Sequence, residues 1–594
     1  MLNTLTLISF IGATALVALV TFLIVRRMES ADDPTVEFFT GGRMLSWPIV
    51  AGSLLLTNIS TEQLVGLNGA VFKDGNLVGI AWETTAAFAM IATALLFLPK
   101  YLASGFTTST AFLERRFDRQ VRQLVSGLFL FGYVSVLLPS VLYTGSLAFN
   151  TMFQLGLPLW TLVLFIGGIG SAYAIFGGLK AVAVSDTING AGLLIGGLAI
   201  PALALSLLGD GSMAEGVATL VRERPESLTP LATLDRRGEP TSVPWPTLLT
   251  GMMFIQIFYW STNQVVVQRA LGAKNLAEGQ KGVLFASVMK LVGPLMLCLP
   301  GIVALHLGSE LQVTLDLEAL REALSDSTGA AATASAELTS FARGLLDRGA
   351  GIISLADAER LHPLGLSFND QIYPSIVNKV LPSWSLGLFA AVLMGAILSS
   401  FNSALNSAST LFCLEFYEDR LKSGPVELSD QERAERLVKV GQLFSIGLAV
   451  VSMLIAPQLD QLKSIFEYLQ KANGLFSVPI ISIFLVGILS KRAPAWGAKV
   501  AVILGMLCYG LFTFAAPEGL HWLHGYAISF GVAVGTLMIS ALRSPRSDAE
   551  LAAAAELPPP PVDMTPWAYA KLSSAVIALL TVVVYAGLFW VAQG

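Results

Sequence analysis

An all-α polytopic membrane protein is the fold class this sequence predicts, and three observations predict it. Of 594 residues, 54% are hydrophobic and 13% charged, about half the ~25% charge that soluble domains carry. Apolar windows of about 20 residues, enough at ~1.5 Å per residue to cross a ~30 Å hydrocarbon core, recur along the whole chain. Lys and Arg gather in alternate connections between those windows.

The same composition excludes other classes. A net charge of −5 offers no basic field for nucleic acid. Cys298, Cys413 and Cys508 lie inside apolar segments and suggest neither a disulfide framework nor a zinc site. His306, His362, His521 and His524 fall near window ends without metal-ligand spacing. A hydrolytic or redox centre has little to be built from, so an enzyme is not expected.

Taken in order, the first window, residues 3–27, carries Arg26 and Arg27 after its apolar stretch, whereas a signal peptide carries its cations first. It is read as a retained extra N-terminal helix entering from outside. Further windows follow at 46–70, 77–99, 122–150, 157–176, 181–207, 246–268, 279–308, 385–413, 434–456, 460–490, 494–516, 522–542 and 567–591. That makes about fourteen transmembrane helices, with both termini extracytoplasmic.

The odd-numbered connections carry Arg26, Arg27 and Arg43, then Arg115, Arg116, Arg119 and Arg122, and later Lys180 at the turn GGLKAVAVSD. Arg269, Lys274 and Lys281 continue the series, while the short even connections at 151–156, 457–459 and 517–521 hold no Lys or Arg. The positive-inside rule puts the odd connections in the cytoplasm of a cell (inner) membrane protein. Two long even connections, 208–245 and 309–384, translocate largely regardless of charge and are read as folded extracytoplasmic segments. In the second, ALREAL and AELTSFARGLLDR suggest amphipathic surface helices; a solvated insertion without a role in transport is the plainer reading of it. The Pro run at 558–561 is a stiff linker before the last span.

Polar side chains at membrane depth are expensive and therefore informative. The second window holds Thr57, Asn58, Ser60, Thr61, Glu62 and Gln63 within seven positions. A continuous helix would turn several of them to lipid, whereas an unwound stretch aims carbonyls and side chains into a cavity. The third window places Glu83 among apolar neighbours, the seventh holds Gln256 three residues before Tyr259, the eighth has Lys290 and the eleventh Gln470. Amides, a carboxylate and an ammonium beside Tyr and Trp form hydroxyl-binding chemistry. An internal ion pair of Glu83 with Lys290 is the structural alternative and is compatible with binding.

The ninth window repeats Ser399, Ser403 and Ser407 at i, i+4, i+8, with Asn402 and Asn406 alongside. Small residues of this kind serve helix packing, and hydroxyl and carbonyl oxygens also suit a hard monovalent cation. Asp186, after the GGLK turn, adds a carboxylate that could draw an ion inward or act as a helix N-terminal charge.

With TNISTEQLVG, FGGLKAVAVSD, YWSTNQVVVQRALGAK, KLVGP, ILSSFNSALNSASTLF and YLQKANG in family-like order, the sequence resembles the sodium:solute symporter family, which includes sodium/glucose cotransporters, from about residue 3 to 591. The resemblance implies a LeuT-like 5+5 inverted repeat, with repeats at 46–207 and 246–490, the insertion 309–384 inside the second, and three additional C-terminal helices in 494–591. It implies Na+ held by Leu56 and Ile59 carbonyls, the Ala396 carbonyl and the Ser399 and Ser400 hydroxyls. Asp186 with Ser403 matches a second sodium site or exit path, although Asn402 replaces a serine there. Gln63, Glu83, Gln256, Lys290 and Gln470 match a sugar site, Tyr259 its inner gate and Asn58 a residue holding that gate. Ala86 and Gln256 depart from the family's sugar-site residues. The function implied is Na+-coupled import of a sugar or sugar-like solute by alternating access. Symport of sialic acid, an amino acid or a carboxylate, and a sensor with a transporter fold, are the alternatives.

Overall fold

The chain is represented by a computed structural model that describes Thr4 to Gln593, except residues 29–42, 107, 154, 326–334, 423–428, 462–464, 516–519, 548–559 and 561. The side chains of 172–180, 422, 430, 460, 461 and 514 also lie outside the description. Among the described residues, eleven helices are each long and apolar enough to cross a membrane. Three further crossings are short or interrupted: Trp47–Asn58 with Thr61–Asp74, Leu159–Ser171, and Gly251–Ser261 with Gln264–Leu271. Together they account for the fourteen spans read from hydropathy. Most of the expected linker at 558–561 lies outside the described residues.

The fifth and sixth spans form one helical run, Leu159–Leu208. A straight run of that length would be about 75 Å long, far more than one crossing requires. Gly170 lies against Phe401 and Gly192 against Val392, two positions about 13 Å apart along one helix. In a straight helix the glycines would be about 33 Å apart, so the path turns between them. The GGLKAVAVSD segment, expected as a turn, lies in that interval and is itself part of the helical run; its side chains up to Lys180 are among those not described.

The first span, Thr4–Arg27, is tied to the ninth, Ser383–Phe412: Thr6 Oγ1 donates to the Ser383 carbonyl at 2.7 Å. A Cβ at Gly387 would lie 2.1 Å from the Thr6 carbonyl oxygen, so only glycine permits this approach. In the insertion, the helices Leu317–Ser325 and Ala336–Asp347 cover the two expected amphipathic stretches. A small antiparallel ladder, Gln312–Thr314 against Ile352–Ser354, closes the insertion on itself and is a departure from the all-α expectation.

The arginines expected to face the cytoplasm do more than mark a loop. Arg116, buried, donates from Nε to the Gly487 carbonyl at 3.1 Å, from Nη2 to Ser490 at 2.7 Å and from Nη1 to Ala493 at 3.1 Å. One guanidinium thus satisfies one of the last carbonyls of the helix Ile465–Leu489 and two carbonyls of the segment that follows it. Arg122 pairs with Glu114 and Glu415, and Thr108 and Thr110 donate to the same Glu415 at 2.7 and 3.0 Å. Arg116→Ala strands buried carbonyls and is expected to cost about 1–3 kcal/mol. The measurement is the unfolding temperature of purified protein in detergent, with Arg116→Lys recovering part of the loss.

Candidate solute and sodium site

The site begins where the second span breaks. Its first half-helix ends at Asn58; Ile59 (φ −81°, ψ 94°) and Ser60 (φ −124°, ψ −174°) are extended, and the second half starts at Thr61. The unwinding expected from the polar run therefore falls inside that run. The seventh span is interrupted as well, between Ser261 and Gln264, with the Asn263 side chain capping the second half through the Val265 amide at 3.1 Å. Hydropathy treats residues 246–268 as one continuous window; the run Ser261-Thr262-Asn263 is the local signal for the break.

The two breaks face one cavity of about 80 Å³ whose polar lining includes Asn58, Gln63, Gln256, Tyr259 and Gln470. Trp82, Ile255, Phe258 and Phe476 supply an apolar side. Gln256 Nε2 donates to the Trp82 carbonyl at 2.7 Å, while Gln63 Oε1 is buried without a partner. Asn58 also meets the Tyr259 hydroxyl through its side chain. Tyr133 and Asn263, which sequence reasoning did not select, line the same cavity, and Tyr133 donates its hydroxyl to Asn263 Oδ1 at 2.7 Å. Tyr133 begins a widened π-helical turn, Tyr133–Leu137, an irregularity with no clear trace in hydropathy.

Glu83 and Lys290 do not line the cavity. They form a buried ion pair at 2.6 Å, with side-chain exposures of 0% and 1%, directly beside it. Lys290 also donates to Asn58 and lies 5.4 Å from the centre of the Trp260 ring, so Asn58 joins the pair to the cavity. Glu83 Oε1 is left without a partner. The ion pair foreseen as an alternative is present, and the amide cluster is assembled around it.

The expected sodium ligands lie on the other face of the broken span. Thr57 Oγ1 is 3.5 Å from Ser403 Oγ, which brings the first half-helix against the ninth span. Ser399 and Ser400 lie one turn before Ser403 and are buried; the Ser400 hydroxyl has no partner, and Ser399 meets the Asp186 carboxylate through its side chain. The break frees carbonyls at Leu56 and Ile59, since a helix end leaves its last carbonyls unbonded. Ala396, fully buried, stands one turn before Ser400. Oxygen donors with unspent capacity are what a hard cation needs.

Asp186 is buried and accepts from Ser53 Oγ at 3.0 Å. It lies within the run Leu159–Leu208 and so does not act as an N-cap. Its surroundings correct the reading of Arg269 as a cytoplasmic loop charge. That side chain has no exposure, donates to Ser403 and to the Val265 carbonyl at 2.9 Å, and interacts electrostatically with Asp186. Counting cations by position cannot detect this, because the short half-helix Gln264–Leu271 folds back into the protein.

The profile of the Sodium:solute symporter family matches residues 38–346 and 348–505. The chain belongs to the sodium:solute symporter family. Among its relatives, the uncharacterized symporter YidK of Escherichia coli K12 is 36% identical over 99% of this chain and 91% of its own. The sodium/glucose cotransporter of Vibrio parahaemolyticus is 30% identical over 80% of this chain and 79% of its own. A solved Na+-coupled sialic acid symporter superposes with a TM-score of 0.68 at 19% identity, covering 92% of this chain and all of that one, which shows a shared fold. As a symporter of this family the protein is an integral membrane transporter, not an enzyme, and Na+ is its coupling ion.

The buried pair gives a prediction. Lys290→Met leaves the Glu83 carboxylate buried without its cation and is expected to destabilise the symporter by about 3–5 kcal/mol. Adding Glu83→Gln should restore most of that loss, measured as unfolding temperature in detergent.

Proposed function

We propose that this symporter imports a sugar or sugar-like polyhydroxylated solute with Na+ by alternating access, both termini lying outside the cytoplasm. One observation carries the reading: the cavity gathers Asn58, Gln63, Gln256 and Gln470 amides with the Tyr259 hydroxyl, and its described lining holds no Lys or Arg. Amides both donate and accept, matching hydroxyls that do the same, while Trp82 and Phe476 can cover an apolar ring face. Lys290 could draw an anionic solute such as sialic acid, but Glu83 at 2.6 Å already offsets its charge. A neutral solute fits better.

In this mechanism Na+ enters between the Leu56 and Ile59 carbonyls and the Ala396 carbonyl with the Ser399 and Ser400 hydroxyls. It joins the broken second span to the ninth and thereby orders Asn58 and Gln63. The solute then engages Gln63, Gln256 and Gln470, while Glu83 and Lys290 exchange part of their mutual contact for its hydroxyls. Tyr259, held by Asn58, shields it from the cytoplasm until the repeats 46–207 and 246–490 rock. Asp186 and Ser403 serve as the ion's exit path, because Arg269 already supplies them with positive charge. One Na+ driven by membrane potential supplies ~2.3 kcal/mol per 100 mV, more than a tenfold accumulation.

In proteoliposomes, Gln470→Ala or Glu83→Ala is expected to abolish solute binding at the inner cavity, and with it Na+-driven uptake, while Na+ binding survives. Ser400→Ala is expected to raise the Na+ concentration for half-maximal uptake about tenfold, equivalent to ~1.4 kcal/mol. Normal Na+-driven sugar uptake by all three variants would overturn the assignment.

A further inference from the structure

Outside the solute cavity lies a second and larger one of about 690 Å³, whose walls come from both long extracytoplasmic segments and from the membrane helices. Trp82 lines both cavities, and its ring meets Phe466 edge-on with centroids 5.2 Å apart, so this aromatic pair is the partition between them. Two glycines one turn apart set the partition and the outer wall. A Cβ at Gly66 would lie 2.7 Å from Phe466 Cβ, and one at Gly69 would lie 2.4 Å from the Asn369 carbonyl oxygen of the insertion. The half-helix Thr61–Asp74 therefore carries the partition on one turn and seats the insertion on the next.

The lining has the chemistry of a carbohydrate site. Trp82, Phe466 and Trp522 offer aromatic surface for an apolar ring face. Glu239 and Ser242 from the first segment and His362 and Asp370 from the insertion supply hydrogen-bonding groups, with Lys73 and Glu467 from the helix ends. Glu467 is paired with Lys471 at 2.7 Å, which leaves Glu239 and Asp370 against Lys73, a lining that gives an anion no net positive field. Burial and the neighbouring Arg237 hold His362 below its ordinary value, and burial pushes His521 down to about 4, so neither imidazole reverses that balance at neutral pH.

We propose that this vestibule is a second, outer solute site, built by the extracytoplasmic segments, that takes a neutral polyhydroxylated solute before the Trp82–Phe466 partition opens. It rests on the sugar reading of the inner cavity. The solute would move inward when the half-helix tilts, because the same helix face holds Phe466 and Asn369.

The test uses full-length protein with D-glucose, D-galactose and myo-inositol as probes. Na+-driven uptake in proteoliposomes selects the transported probe, and equilibrium binding in Na+ then counts its sites. Two sites per chain are expected, the weaker surviving Gln470→Ala. Glu239→Gln combined with His362→Ala should remove the weaker site and raise the KM for uptake several-fold with kcat unchanged. A single site in the wild-type protein, or no residual binding in Gln470→Ala protein that still binds Na+, overturns the outer site alone. Uptake of none of the three probes overturns the sugar reading and the outer site together.

Discussion

A helix that stops inside a bilayer exposes backbone groups that lipid cannot satisfy, and such a stop persists only where protein, water or an ion takes them over. The break at Ile59 and Ser60 is the constraint on which the rest of this protein turns. It needs a neighbour rich in oxygen, and the ninth span supplies serines and asparagines at helical spacing. It needs an enclosure, which the third, fourth, interrupted seventh and eleventh spans help to close. The amide-lined cavity and the serine-rich ninth span both meet this one interruption, through Asn58 and through Thr57, so the two are joined without any long path.

Much of this was legible in the chain because the bilayer allows few solutions. Fourteen apolar windows become fourteen crossings, and six polar residues in seven positions mark the break. Asn58, Gln63, Gln256, Tyr259 and Gln470, drawn from spans far apart in sequence, converge on one cavity. Less was legible where backbone geometry departs from a regular period. The second break, at Thr262 and Asn263, carries only a short polar run in an otherwise apolar window. The widened turn at Tyr133 and the small ladder in the insertion leave no periodic trace at all.

Arginines show the limit of reading charge by position. The positive-inside rule concerns which side of the membrane a segment faces and is silent about depth. Arg116 holds the end of a helix by reaching the Gly487 carbonyl inside it and the Ser490 and Ala493 carbonyls just beyond it, and Arg269 lies wholly inside beside Asp186 and Ser403. The guanidinium's fork of donors suits both tasks, since it can satisfy several acceptors while remaining charged. Cations tallied along the chain as topology markers are thus partly structural ligands.

The seat of Asn369 on Gly69 also bears on biogenesis. The two residues are three hundred positions apart, so the contact cannot form until the ribosome has passed well beyond the insertion. At ~5–20 residues per second that interval is roughly 15–60 s, during which the half-helix Thr61–Asp74 waits without its cover. Early spans must be held by the translocation machinery or by one another through that time. A nascent chain arrested before residue 369 should therefore leave Gly69 uncovered, whereas the finished protein buries it.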